Sequence, residues 1–190
     1  MISKRVWLTI PTVLLPYFAL FTLATVFLST KTSFFKWVME SVFCGNAILL
    51  IAAFILYCLL AAVLNAVFLI GGLCNKTDAL FLAKYYMTVK LIQIPGYALI
   101  FVLGVLCAIT IVTIPFSVAL FFVDCFSLLL SGLGVASAAV RAIRQGIFKP
   151  KEILWVLITQ FIFCIDVVAA IILYVNLKNR KAVAQKQPLN

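Results

Sequence analysis

Long apolar runs separated by short charged segments dominate the chain. Stretches free of Asp, Glu, Lys and Arg cover 6–30, 41–75, 91–123 and 125–140, and 153–177 is interrupted only by Asp166. A bilayer core of about 30 Å takes roughly 20 helical residues. Runs such as Ala47–Ala62 are apolar on every side, as in a lipid-embedded helix. A transmembrane barrel would instead show segments of about ten residues alternating in polarity. Residues 91–140 hold one charge, Asp124. As a single helix they would be about 75 Å long at 1.5 Å per residue, too long for one crossing. The residue before a proline avoids helical dihedrals, so Pro115 divides the run at a turn around 113–117. The pattern therefore predicts an all-α, polytopic membrane protein with five spans, about 6–29, 43–72, 91–113, 116–139 and 153–176. They form one transmembrane domain over 1–177, followed by a basic polar tail, 178–190. Four spans plus a re-entrant or interfacial segment is the alternative.

The first run follows Lys4 and Arg5, as a secretory signal would. Its apolar stretch is 25 residues (6–30), against about 7–15 in a signal peptide, so a retained span is expected. Pro11 and Pro16 predict a kinked or frayed first half.

Composition narrows the function classes. Of 190 residues, 66% are hydrophobic and 11% charged, too few charges to solvate a soluble domain and too many apolar residues for disorder. The net charge of +10 sits at the ends of apolar runs rather than on one polar face, so no nucleic-acid partner is expected. The partner that the composition names is the lipid bilayer.

Orientation follows Lys and Arg in short loops. With five spans and a cytoplasmic N-terminus, the inner segments carry nine: Lys4, Arg5, Lys76, Lys84, Lys90, Arg141, Arg144, Lys149 and Lys151. The outer segments carry six: Lys31, Lys36, Lys178, Arg180, Lys181 and Lys186. The basic tail thus opposes an N-in, C-out arrangement, whereas a re-entrant segment would put both ends inside. Residues 30–42 mix Phe34, Phe35 and Trp37 with Lys31 and Lys36, a headgroup composition. Residues 74–90 have two readings. Either Asp78 caps an interfacial helix with Lys84, Lys90, Tyr85 and Tyr86 at headgroup level, or they are the overlong start of the third span.

Six cysteines, at 44, 58, 74, 107, 125 and 164, include no Cys-x-x-Cys pair and read as small apolar packing residues. Histidine is absent, which removes the commonest general base and metal ligand. No Walker loop, nucleophile elbow or zinc-protease motif occurs, and no Tyr-Asp or Gly-x-Gly-Asp surrounds either intramembrane aspartate. The expectation is a non-enzyme without metal or cofactor. Asn75-Lys-Thr77 matches a glycosylation sequon, here on the cytoplasmic side.

Ionisable groups inside spans cost about 2.5–3.5 kcal/mol at the centre, so Asp124 and Asp166 are the candidate intramembrane site. On antiparallel neighbouring spans both fall about 12–15 Å from the outer surface, where they can sit side by side. Asp124, Ser127, Ser131, Gly134 and Ala138 form one small and polar helix face, and Asp166 shares a face with Thr159, Phe163 and Ala170. Asn65, Asn46 and Thr110 are further polar candidates. No Lys or Arg is expected at that depth. Each aspartate is then protonated, hydrogen-bonded, or bound to a cation or a partner's basic group. The bland alternative is that each only fixes helix packing.

Lys90-Leu-Ile-Gln-Ile-Pro-Gly-Tyr97, the apolar hairpin carrying Asp124 and Gln160-Phe-Ile-Phe-Cys-Ile-Asp166 resemble small multi-span proteins of Gram-positive gut bacteria that form a family of unknown function. The resemblance covers about residues 85–177 and implies a bacterial plasma-membrane location without implying an activity. Two functions are expected from the residues. One is a proton- or cation-linked transporter or channel-like unit, as a homo-oligomer. The other is a non-enzymatic accessory, immunity or regulatory subunit docking to another membrane protein.

Overall fold

The computed structural model describes residues 2–74, 77–109, 113–160, 162 and 165–186, and every regular element among them is helical. A 3₁₀ stretch, Ile2–Thr9, leads into α1 (Ile10–Leu28), with Pro11 in the first turn, where its missing N–H costs nothing, and Pro16 in the interior. Then come α2 (Ser33–Phe43), α3 (Ala47–Cys74), α4 (Ala79–Ile109), α5 (Ile114–Arg144), α6 (Pro150–Thr159) and α7 (Ile165–Lys186). Four helical segments, Val6–Leu28, Ala47–Cys74, Ala79–Ile109 and Ile114–Arg144, are long and apolar enough to cross a membrane. The break between α4 and α5 falls beside Pro115. Thr110, Phe163, Cys164, Asn75 and Lys76 lie outside the described residues.

Two segments differ from the expected spans. The third begins at Ala79 rather than 91, because its apolar face continues upstream: Leu82, Ala83, Tyr86 and Val89 are all buried. Of the two readings of 74–90, the continuous helix agrees with the second: among the described residues, α4 runs unbroken from Ala79 to Ile109. The Gln145 amide oxygen accepts the free Ala79 N–H at 3.3 Å, and the Arg141 Nε donates to the Thr77 carbonyl at 3.0 Å, fixing the start of α4.

The segment 153–176 is two helices and not one. Arg180, near the end of α7, donates to Glu152 at the start of α6 (2.9 Å) and to the Ile147 carbonyl (3.0 Å), and its guanidinium stacks 4.2 Å from the Phe148 ring centre. In one straight helix Glu152 and Arg180 would be about 42 Å apart. α6 and α7 are therefore antiparallel arms of a hairpin, and Ile153, Val156, Ala170, Leu173 and Leu177 belong to one buried cluster.

The helices build two compact units. The first comprises Met1–Leu8, Asn65–Ile92 and Leu128–Asn190, and the second Thr9–Leu64 and Gln93–Ser127. The core of the first is made by Leu82, Ala83, Tyr86, Val135, Ala138 and Ala142 together with the hairpin. The small residues of α5 let it approach closely, and the approach is tightest at Gly134, where an added Cβ would overlap the Tyr86 ring. The second has a smaller core at Ala19, Ile100 and Leu120, and there Gly96 admits Pro16, whose Cβ would lie 2.8 Å from a Cβ at that position.

Candidate functional site

In the first unit, the Lys90 ammonium donates to the Asp166 Oδ2 in an ion pair whose side chains are 0% and 1% exposed. Lys90 lies about 16 Å along α4 from Ala79, and Asp166 about 21 Å along α7 from Arg180, so the pair is deep in the unit. The expectation that neither aspartate has a basic neighbour fails for Asp166. The reason is the early start of α4, which carries Lys90 inward from the headgroup level expected of it on an interfacial helix. One turn away Tyr86 donates to the Asn65 side-chain oxygen at 3.1 Å, and the Asn65 amide donates to the Leu130 carbonyl at 2.9 Å. Ser131 is buried and donates to the Leu128 carbonyl of its own helix at 3.3 Å. Gln160, at the end of α6, is buried over Gly132. Asn65 and Ser131 thus serve packing, and Asp166 holds the hairpin to α4.

In the second unit the polar centre is Gln93. Its amide nitrogen donates to the Thr12 carbonyl at 2.7 Å and to the Ser127 hydroxyl at 3.3 Å, while its oxygen accepts from the Tyr97 hydroxyl at 3.0 Å. Tyr97 and Ser127 also share a hydrogen bond of 3.0 Å. The reason is on α1. Thr12 would ordinarily accept from the N–H at position 16, and Pro16 has none, so a glutamine from α4 fills the vacancy.

Asp124 has a different setting. It is 9% exposed, and its Oδ1 has no hydrogen-bond partner. It stands at one end of a groove of about 220 Å³ between α4 and α5, whose walls include Ile100, Gly104, Ala108 and Leu120, with Phe101 and Phe121 at its edge. The groove's hydroxyl, Ser117, donates to the Gly104 carbonyl at 2.9 Å. Of the five residues singled out in the sequence, Asp124 and Ser127 belong to the second unit, and Asp166, Ser131 and Asn65 to the first.

Lys90, Gln93, Tyr97 and Tyr86 escaped the sequence reading. Gln93 left a signal: a proline inside an apolar helix strands a carbonyl that some polar side chain must satisfy. Lys90 left none, since a lysine at a run boundary ordinarily marks the boundary. The chain matches no known family model, curated protein or solved structure.

Proposed function

We propose that this protein is a small proton- or cation-linked membrane transporter in which Asp124 is the exchangeable site. One observation carries the reading: a buried carboxyl without a partner at Oδ1, on a residue that lines a groove. Asp124 lies about 15 Å along α5 from Ile114, where an ionised carboxylate needs a proton or a cation. Asp166 has its counter-charge in Lys90 and serves as a positioning residue for the hairpin. Self-association of this small bundle would supply the rest of a pathway. Flux of protons or monovalent cations in proteoliposomes tests the reading. Asp124→Asn abolishes it, and equal flux from wild type and variant overturns the proposal.

The arrangement in the bilayer is four crossings with α6–α7 as a re-entrant hairpin, and both termini are cytoplasmic. The ties among Val6 and Tyr85, Thr77 and Arg141, Asp78 and Lys181, and Glu152 and Arg180 support one common end for these segments. Among the described Lys and Arg residues, only Lys31 and Lys36 then fall at the other end. That asymmetry is far stronger than nine to six, and it favours the lysine-rich end as cytoplasmic. A bacterial plasma membrane accords with the resemblance described above.

A second reading, an accessory subunit, draws on the same groove. Phe101 and Phe121 are exposed at its edge, so a partner's helix could deliver a basic side chain to Asp124 from the lipid. Recovery of only self-oligomers from native membranes in mild detergent would remove it.

A further inference from the structure

We infer that the α4–α5 groove binds a small apolar organic cation, an alkyl- or arylammonium, with its charged nitrogen against Asp124. The inference rests on the transport reading only in naming its substrate class, and stands or falls on binding. Four features select the ligand. The acid lines the groove and is more than nine-tenths buried, with Oδ1 unpartnered, so the site attracts positive charge. Among the described residues no Lys or Arg lines the groove to neutralise it.

The walls do not suit a divalent metal ion. A hard divalent ion takes about six to eight oxygen ligands, and among the described residues the groove offers one side-chain carboxylate and a hydroxyl already donating to Gly104. Desolvating such an ion against Ile100, Leu120 and Ala108 would go uncompensated. An ammonium carrying its own apolar groups needs no such oxygen shell, and its hydrocarbon suits those walls. The phenyl rings of Phe101 and Phe121 border the groove, and aromatic faces attract ammonium groups within about 6 Å.

Size sets the last limit. The groove measures about 220 Å³, below the roughly 300 Å³ at which drug-sized ligand sites begin. It takes one compact ammonium and not a bulky lipophilic cation. Where the carboxyl is protonated beforehand, its O–H bond breaks on binding and the proton leaves to water, which links cation and proton without any redox step.

Equilibrium binding to the purified full chain in detergent tests this, with benzyltrimethylammonium as the probe. Neopentylbenzene is its neutral isostere and tetraphenylphosphonium an oversized control. The expected result is saturable binding of benzyltrimethylammonium, weakened at least tenfold by Asp124→Asn and by Gly104→Leu. A Cβ at Gly104 meets nothing closer than the Ser117 hydroxyl at 4.0 Å, so the helix admits a side chain there, and this second variant keeps the test decisive if the first misfolds. Neopentylbenzene and tetraphenylphosphonium bind at least tenfold more weakly than the probe. Equal binding by wild type and Gly104→Leu, or by the probe and its neutral isostere, overturns the inference. So does absence of probe binding combined with Asp124-dependent crosslinking to a second membrane protein. Asp124-dependent proton flux without probe binding would leave the transport reading standing and remove this one. Binding without any flux would do the reverse.

Discussion

Lys90 and Asp166 neutralise one another inside the first unit, and the pair joins α4 to the base of α7. A buried pair adds little net stability over apolar residues of similar volume, yet removing one partner strands a charge and costs about 3–5 kcal/mol. Asp166→Leu and Lys90→Met are therefore each expected to destabilise the protein by about that amount, and the double change Lys90→Met, Asp166→Leu by far less. Unfolding in detergent across the double-mutant cycle measures the coupling. Additive losses from the two single changes would show that the pair does not hold the hairpin.

The proposed re-entrant hairpin sets an expectation for the sides on which the segments between helices lie. A reporter fused after Lys186 and one inserted in 145–149 are expected on the same, cytoplasmic side, with one inserted at 31–32 on the opposite side. Protease accessibility of right-side-out vesicles measures this. Opposite results for the first two would restore a fifth crossing through 153–176.

How far the sequence exposed this architecture depended on what each signal measures. Hydropathy located α1, α3, α4 and α5, because lipid exposure demands unbroken apolar runs of a minimum length. Pro115 located the α4–α5 break through a local steric rule. The hairpin was beyond hydropathy, since an apolar run of 25 residues (153–177) looks the same whether it crosses once or turns back. What distinguishes the two is Arg180 reaching Glu152, a contact distant in sequence. At the candidate site, Asp124 and Asp166 were legible as costly groups in apolar runs. Their different fates were not, because the counter-charge for Asp166 comes from Lys90, a lysine just outside the charge-free run 91–123 that the charge pattern places at its boundary.

Glu152 makes the base of the hairpin sensitive to acid. Its hydrogen bond from Arg180, helped by the Lys149 backbone N–H, holds the carboxyl below the usual glutamate range. A depressed carboxyl stabilises the fold above its unfolded pKa, and that contribution is lost as pH falls through the folded value. The wild-type melting temperature should thus drop more steeply than that of Glu152→Gln between about pH 5 and pH 3, the side of the ordinary glutamate pKa on which the shift lies. Parallel curves for the two proteins would remove the pair from the acid response. Glu152 is solvent-facing, so the difference is expected to shrink at high salt.

Pro16 and Gln93 give the sharpest test of the second unit, since the structure ties one to the absence created by the other. Proline at 16 removes the N–H that would serve the Thr12 carbonyl, and the Gln93 amide donates there instead at 2.7 Å. Leaving that buried carbonyl without a donor costs about 1–3 kcal/mol. Gln93→Leu in the wild type is expected to destabilise by about that amount, beyond the loss of its bonds to Tyr97 and Ser127. In a Pro16→Ala background the N–H restored at position 16 can reach the Thr12 carbonyl within the helix, so the same Gln93→Leu change should cost at least about 0.5 kcal/mol less, the smallest coupling a cycle resolves. The Pro16→Ala change leaves the close approach at Gly96 intact, because alanine keeps only the Cβ of the proline that now packs there. Denaturant unfolding of the four proteins in one detergent reads the coupling directly. Equal costs in the two backgrounds would mean that Gln93 answers to Tyr97 and Ser127 alone, and that the Thr12 carbonyl finds its hydrogen bond elsewhere.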